Sequence, residues 1–583
     1  MRRLKKIFFL PEFYCILLLA LCLIFLHLGQ VKIENAIYSR ASETESISFP
    51  FAKNMRSQEH FEISFHVINK FNQPYELKVI PDDWAESVII NGNFINLKNF
   101  PENCNYTQGF TLPDSLISPY LVGQKIHYSF NMKNKGGPAG IYVEPKSKSI
   151  LFSIINISTI LLIALLSLMV AKRLGMPKKL YLLLLFGIII RISFFLSTPY
   201  SQYTHDVDGH IAYVQYVANN FSIPETDDCW TCYHPPVYYV SAVVPYFLGT
   251  WIHYNEIRML QIYSLLFSLL ILFFGILFFK TFLESKALFC ASWLLAIWPL
   301  FILVTPRIGN DQLFYLFHTL CLFGGAKYLF SGKGKFLILA TISTIFALWT
   351  KSTAVVTIGT LFLFMTCGFF KNSQTFKPKR SELISWILLI FALVLFGLQK
   401  ILAESSLVGN ASGLHSGLKV GNEAINYLFF DIRSFILEPF TSAWKDGLGR
   451  EYFWNYSLKT SLFGEFTLAT TSFGKTLATI TSVSFLGLCL YAFRGFWKTK
   501  CQAIHWILIL QGIAFFAASM FLRIKLPYSC SNDFRYILPV LFSFFAFLGI
   551  GVNLEQASLK WKILGYALIT IFTLSSTVLL LLI

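Results

Sequence analysis

Residues 149–198 read SILFSIINISTILLIALLSLMVAKRLGMPKKLYLLLLFGIIIRISFFLST. Two apolar runs, at about 149–171 and 180–198, flank a short segment holding Lys172, Arg173, Lys178 and Lys179. Each run has the length that carries a helix across the ~30 Å hydrocarbon core of a bilayer. Lys and Arg accumulate in the cytoplasmic loops of membrane proteins, so four in one short loop place that loop inside. The chain after residue 198 therefore emerges outside. The reading of this pair of spans decides both the class of the protein and its orientation.

The composition agrees. Of 583 residues, 55% are hydrophobic and 14% charged; a soluble domain carries about a quarter charged residues. The formal net charge of +17 would suggest nucleic acid in a soluble chain. Here the cations cluster in inside loops and set topology, so no nucleic-acid partner is expected. The 11 Cys are uninformative. Several, such as Cys321 and Cys367, lie in apolar spans, where Cys behaves as a small hydrophobe.

Toward the N-terminus, Met1-Arg-Arg-Leu-Lys-Lys6 precedes an apolar run from about 13 to 28. No clear small-x-small cleavage site follows, so residues 1–30 are expected to be a retained anchor with its N-terminus inside. Residues 31–148 differ in kind. Phe61, Ile63, Phe65 and Val67 alternate with polar residues, as do Tyr75, Leu77 and Val79, and Ile126, Tyr128, Phe130 and Met132. Asn91-Gly92 between apolar residues signals a two-residue hairpin. The segment is expected to be an extracytoplasmic β-sandwich. It is expected to serve as a structural cap, with sugar binding as the alternative.

Toward the C-terminus, residues 149–583 are read as one multi-helix transmembrane domain. Further spans are expected at about 257–282, 287–304, 312–330, 336–350, 355–370, 383–399, 475–493, 502–521, 536–553 and 562–582. Two short apolar pieces around 236–250 are placed in the membrane interface, and residues 400–473 form a long outside loop. Lys280 and Lys286, Lys333 and Lys335, Lys371 to Arg380, Arg494 to Lys500, and Lys560 and Lys562 then fall inside. The alternation gives about 13 helices.

Residues 204–239 break the apolar pattern. They include His205-Asp206-Val207-Asp208-Gly209-His210 and Cys229-Trp-Thr-Cys232-Tyr233-His234-Pro235-Pro236. A polar cluster at a bilayer edge is costly, so this stretch is the active-site candidate. The competing reading makes Asp206 and Asp208 helix-start residues that satisfy backbone N–H groups. Asp206 and His210 share a helix face at i, i+4. Cys-x-x-Cys followed by Tyr233-His234 is not a usual zinc spacing. A disulfide or two free thiols suits the pair better, while a carboxylate-bound divalent ion stays open.

Outside cations violate the topology rule and so mark themselves. Arg307 lies in Pro306-Arg307-Ile308-Gly309-Asn310-Asp311, Lys351 in Trp349-Thr350-Lys351-Ser352, and Arg535 in Asp533-Phe534-Arg535-Tyr536. Lys459, with Lys445 and Arg450, lies in the long outside loop. Any one of them alone is explained by snorkelling to headgroups. Together, beside Asp206, Asp208 and Asp311, they suit a lipid phosphate and an acid–base reaction. If a sugar leaves a polyprenyl phosphate, charge builds on the phosphate and fixed cations stabilise it. A carboxylate such as Asp206 takes the acceptor proton, and one displacement inverts the sugar carbon.

These motifs resemble those of the GT-C superfamily of polyprenyl-phosphate-sugar glycosyltransferases, with protein O-mannosyltransferases and lipid A aminoarabinose transferases as the nearer groups. Asp206-Val207-Asp208 is similar to the family's first-loop acidic motif, although Val207 splits acids that are usually adjacent. Asn310-Asp311 is similar to the second acidic motif, and Leu348-Trp349-Thr350-Lys351 to the membrane-edge Lys that contacts lipid phosphate. Phe453 to Thr460, and Arg535-Tyr536-Ile537-Leu538-Pro539, resemble later motifs; Tyr233 to Tyr239 resembles a stretch of bacterial members. The resemblance covers about residues 150–550.

It implies a polytopic α-helical membrane protein of GT-C type; the sandwich read after the first helix is not part of the family's usual pattern. Asp206, Asp208 and Asp311 would be catalytic. His210, Tyr233, His234, Arg307, Asn310, Lys351, Lys459 and Arg535 would bind substrate or lipid phosphate. The implied partners are a polyprenyl-phosphate-linked sugar, membrane lipids, and a protein, lipid or glycan acceptor. Low outside charge and the N-terminal anchor fit a bacterial inner membrane with the site facing the periplasm. The rival readings are a transporter or flippase, which would need polar residues at span centres or broken helices, and a glycan polymerase or ligase.

Overall fold

The computed structural model describes residues 11–582 other than 30, 42, 48, 50, 72, 101–102, 105–108, 113–124, 137, 174, 205, 227, 230, 253, 373–378, 403–415, 445–448 and 555. The chain forms two compact units, Met1–Arg173 and Leu174–Ile583.

In the first unit, helix α1 (Pro11–Leu28) packs on helix α2 (Ile150–Arg173). Cys15 Sγ donates to the Leu162 carbonyl at 3.3 Å, and Arg173 Nε lies 2.7 Å from Glu12 Oε1. The unit boundary at residue 173 thus groups α2 with the β domain, whereas the sequence reading assigns it to the helical domain.

Ten strands lie between these helices: β1 (Lys32–Arg40), β2 (Glu43–Ser46), β3 (Phe51–Asn54), β4 (His60–Ile68), β5 (Tyr75–Pro81), β6 (Trp84–Ile90), β7 (Asn93–Asn96), β8 (Phe110–Leu112), β9 (Lys125–Lys133) and β10 (Pro138–Ser147). They form a six-stranded sheet, β2-β1-β4-β9-β6-β7, and a four-stranded sheet, β3-β10-β5-β8. Every neighbouring pair is antiparallel.

Alternation decides which face is buried. Phe61, Ile63, Phe65 and Val67 of β4 and Ile126, Tyr128, Phe130 and Met132 of β9 meet Tyr75, Leu77 and Val79 of β5 in one core. Burying each such side chain contributes about 1.5–3 kcal/mol. The Tyr75 and Tyr128 hydroxyls, 2.9 Å apart, satisfy each other inside that core. Asn91 (φ 47°) and Gly92 (φ 87°) join β6 to β7 with Ile90 opposite Asn93, the two-residue turn whose twist matches the strands.

The second unit is helical. Its elements are α3 (Tyr181–Ser197), α4 (Val207–Asn220), α5 (Val237–Trp251), α6 (Glu256–Phe279), α7 (Ser285–Ile297), α8 (Pro299–Leu303), α9 (Asn310–Ser331), α10 (Gly334–Leu348), α11 (Val355–Asn372), α12 (Arg380–Leu402), α13 (Ala424–Leu428), α14 (Ile432–Leu437), α15 (Phe453–Phe463), α16 (Ser472–Lys498), α17 (Ala503–Lys525), α18 (Val540–Asn553) and α19 (Leu559–Leu581). Among the described residues of the whole chain, nine helices are long and apolar enough to cross a membrane. A tenth results if the bent pair 529–537 and 540–553 is one span.

The structure departs from the sequence reading in four places. Residues 237–251 form one helix around Pro245, not two pieces. The expected span 287–304 is broken after Ile297 into α7 and α8. Helix α10 has 15 residues, about 22 Å at 1.5 Å per residue, less than a full crossing. The loop 400–473 contains α13, α14 and α15, short helices whose patterns are too brief to register as periodic.

Trp298, at the break, is fully buried among the rings of Phe545 and Phe572, with centroids 5.1 and 4.9 Å away. Helices α16 and α18 touch backbone to backbone. A Cβ on Gly495 would sit 1.8 Å from the Phe547 carbonyl oxygen, and one on Gly551 1.9 Å from that of Tyr491. Small residues permit such approach between apolar helices.

Candidate active site

The break between α7 and α9 builds one wall of the site. Pro299 disfavours helical geometry at the residue before it, and Trp298 takes ψ 124°. A broken helix in an apolar setting leaves carbonyls that need donors. Arg191 of α3, fully buried, supplies them: its Nη1 donates to Ala296 O at 2.6 Å and its Nη2 to Leu295 O at 2.9 Å. Gln261 of α6 donates to Pro306 O at 3.1 Å, and Gln312 of α9 to Val304 O at 2.7 Å. Side chains from three helices thus hold carbonyls on both sides of the break, at residues 295, 296, 304 and 306. Arg191 escapes a reading that looks for cations at membrane edges, because it lies inside a span and serves backbone rather than substrate.

That fixed segment presents Arg307. A narrow cleft of about 10 Å³ is lined by Arg307, Gly309, Asp311, Asp206, His210 and Arg535, among others. Arg307 is 9% exposed, and its Nη2 has no hydrogen-bond partner among the described residues. Gly309 (φ 155°) lets the backbone pass close to the imidazole of His210; a Cβ there would lie 3.1 Å from Nε2. The Gly309 N–H donates to the Tyr238 hydroxyl at 3.1 Å.

Asp206 occupies the N-cap position of α4, but its side chain caps nothing. Its Oδ2 instead accepts from Arg535 Nη2 at 2.9 Å. Burial disfavours the Asp206 charge, yet Arg535 above all, with Arg307 beyond it, holds the carboxyl well below the ordinary carboxylate range. Asp208, two residues on, is exposed in the first turn of α4 and does not line the cleft.

Arg535 sits in a 3-10 turn, Phe534–Ile537, capped by Asp533. Its Nε lies 2.9 Å from Asp533 Oδ2, and its Nη2 donates to the Tyr536 hydroxyl at 3.2 Å. The Tyr315 hydroxyl donates to the Arg535 carbonyl. The Phe534 N–H donates to Thr460 Oγ1 at 3.0 Å, so α15 braces this turn through Thr460.

Lys459, its neighbour, goes elsewhere. Its ammonium donates to Ser434 Oγ at 3.0 Å. Burial lowers its pKa to about 8, against the opposing charges of Glu438 and Asp431. The structure does not bring Lys459 to the Asp206 cleft.

Lys351 is buried and pairs with Asp311, its ammonium 4.7 Å from the centre of the Tyr536 ring. Asn310 donates to the Thr350 carbonyl at 3.1 Å and thereby ties the Lys351 turn to α9. It acts on the turn, with its amide committed to backbone.

Opposite these groups, His210 Nδ1 and the Tyr239 hydroxyl are 2.8 Å apart, and the His210 ring stacks on His234 at 5.7 Å. Burial pushes His210 down to about 4 and His234 well below its usual value. The pair is neutral at physiological pH. Tyr233 packs on His234 at 4.2 Å, and burial raises its hydroxyl pKa. Cys229 and Cys232 are joined as a disulfide just before these residues.

Glu465 was not legible in the sequence, because it follows α15 in an unremarkable segment. It is buried, and burial raises its pKa against the fields of Arg535 and Arg307 and a 2.6 Å hydrogen bond from the Tyr456 hydroxyl.

The residues do not suit a divalent cation. Among the described residues no group of three or more His, Cys, Asp or Glu side chains is placed to hold a metal ion. The two Cys are consumed by their disulfide. Asp206 and Asp311 each already face a cation, with Arg307 adding positive charge. His205, part of the metal reading, lies outside the described residues.

No family model matches the chain, and no curated protein sequence matches it. Among solved structures, the archaeal oligosaccharyltransferase AglB from Archaeoglobus fulgidus, in complex with an inhibitory peptide and a dolichol-phosphate, aligns at 12% identity with a TM-score of 0.39. The apo form of the Archaeoglobus fulgidus oligosaccharyltransferase aligns at 11% identity with a TM-score of 0.37. Each alignment covers 68% of this chain and 55% of the other, so the chain spans about half the length of those structures. A likeness this distant carries no inference about fold or chemistry.

Proposed function

We propose that the protein is a GT-C-type membrane glycosyltransferase that moves a sugar from a polyprenyl-phosphate donor to a hydroxyl acceptor on the extracytoplasmic face. The observation that carries this reading is Arg307. A guanidinium held by a stapled helix break, buried and with an unpartnered Nη2, lines one cleft with Asp206, Asp311 and Arg535. A buried donor left unpaired costs about 1–3 kcal/mol, a cost that an anionic ligand would remove.

In this mechanism the donor phosphate binds Arg307 and competes with Asp206 for Arg535. Loss of that ion pair raises the basicity of Asp206. The acceptor hydroxyl then loses its proton to Asp206 as its oxygen attacks the anomeric carbon. The bond from that carbon to the phosphate oxygen breaks, and its electron pair leaves on the phosphate, where fixed cations stabilise it. Attack opposite the leaving group inverts the centre. Lys351, held on Asp311, adds positive charge beside the cleft. Neutral His210, backed by His234 and Tyr239, gives the cleft an uncharged wall suited to a sugar. Bacterial inner-membrane residence with the site facing the periplasm fits this reading, and the Cys229–Cys232 disulfide supports an oxidising compartment.

The broken helix, together with Arg191 of α3 and His318 of α9 buried inside spans, is what favours a transporter. Its exposed carbonyls, however, are occupied by Arg191, Gln261 and Gln312, which favours a static scaffold.

The test is binding of polyprenyl monophosphate to the detergent-solubilised full chain. Arg307→Ala should weaken it about tenfold to hundredfold, the effect of a lost hydrogen bond to a charged group. Unchanged affinity would sink the proposal. Mass analysis of lipid-linked sugars with and without the gene identifies the sugar.

A further inference from the structure

The solvent face of the six-stranded sheet carries a second cleft, of about 600 Å³, within the range of small-molecule sites. Strand register explains its chemistry. Ser39 pairs with Glu62, Glu62 with Asn131, Asn131 with Ser87, and Ser87 with Asn96. Five polar side chains therefore form one row across β1, β4, β9, β6 and β7, on the face opposite the core. The irregularities at Glu34/Ile37 and Ala85/Ser87 are of the kind that bends and twists a sheet locally. The row is pre-oriented: Asn131 Nδ2 donates to Ser87 Oγ at 3.0 Å, and Glu62 accepts from Ser129. Beside it stands Phe94, 66% exposed, with Ile89 as its register partner on the same face.

We propose that this cleft binds a neutral oligosaccharide. Its charges balance, with Arg40 and Lys98 against Glu62 and Glu86 in the lining. Arg40 is also paired with Glu59, and Lys98 with Glu86. That arrangement offers no net attraction to a phosphate or a polycation. A peptide strand would add along the edges, β2 or β7, and would not reach Glu62 or Asn131 on the central strands. A sugar presents hydroxyls that both donate and accept, which Asn, Glu and Ser can meet, and an apolar ring face suited to Phe94. Strands about 4.8 Å apart set the row's repeat, so it has room for about three or four rings.

The proposal does not depend on the transferase reading, because substitutions in the first unit localise the binding that its test measures. The purified full chain is titrated calorimetrically with maltotriose, cellotriose, mannotriose and chitotriose. At least one should bind, and Phe94→Ala and Asn131→Ala should each weaken it about tenfold, the effect of losing one good contact. The exposed Phe94 makes its variant safe for folding, and an unchanged unfolding temperature checks both. Arg307→Ala should leave this binding intact. The proposal fails if none of the four binds, if both sandwich variants bind normally, or if binding is lost only in Arg307→Ala.

Discussion

Asp206 and Asp208 are chemically alike and two residues apart, yet the structure gives them different surroundings. Asp206 faces the cleft and meets Arg535, while Asp208 is exposed on α4. With Asp206 as the base, Asp206→Asn should fold normally and lower sugar transfer by about 10²–10⁴-fold, the usual contribution of a positioned acid–base group. Asp208→Asn should transfer sugar at near the wild-type rate. Transfer assayed on membranes from each variant decides, and the opposite ranking would overturn the assignment. The split was not readable from the sequence, since both acids sit near a helix start and either could have turned inward. Lys459 makes the same point. Its sequence neighbourhood resembles a family motif, but one residue along α15 separates a side chain that braces the Arg535 turn, Thr460, from one that faces Ser434.

At the scale of elements, the informative piece is the broken α7–α8 segment with its staple. Pro299 makes the break local, but the break is tolerable only because Arg191, Gln261 and Gln312 satisfy the carbonyls it frees. Arg191→Met keeps an unbranched, flexible side chain and removes every donor. Each buried carbonyl left unpaired costs about 1–3 kcal/mol, so the variant should unfold at a clearly lower temperature in detergent and should also lose transfer activity through misplacement of Arg307. Wild-type stability would show that the staple is dispensable. A sequence scan passes over this element because an Arg in an apolar run reads as a defect until its partners, about 100 residues away, are seen.

For the whole molecule, contacts between Asp206 and Arg535 and between Asp311 and Lys351 require four separate chain segments to meet at one end of the helical unit. Alternation of Lys and Arg between loops predicts that all four lie on the outer side. The expected outcome is that a topology reporter fused after Asn220 reads extracytoplasmic, as do reporters in residues 31–148 and 400–473. A cytoplasmic reading after Asn220 would invert the arrangement and remove the proposed donor from the site.

The sequence by itself determined the properties that depend on local pattern. Hydrophobic runs of bilayer length, period-two alternation in 31–148 and the Asn91-Gly92 turn each act through neighbours a few residues apart, so they are legible without coordinates. Only the tertiary structure decided which outside cations converge. Arg307, Lys351 and Arg535 gather around Asp206 and Asp311 while Lys459 does not, and Arg307 keeps a buried Nη2 with no hydrogen-bond partner among the described residues. Those outcomes depend on helix rotation and on contacts spanning hundreds of residues, where a turn of one residue moves a charge by about 100° around its helix.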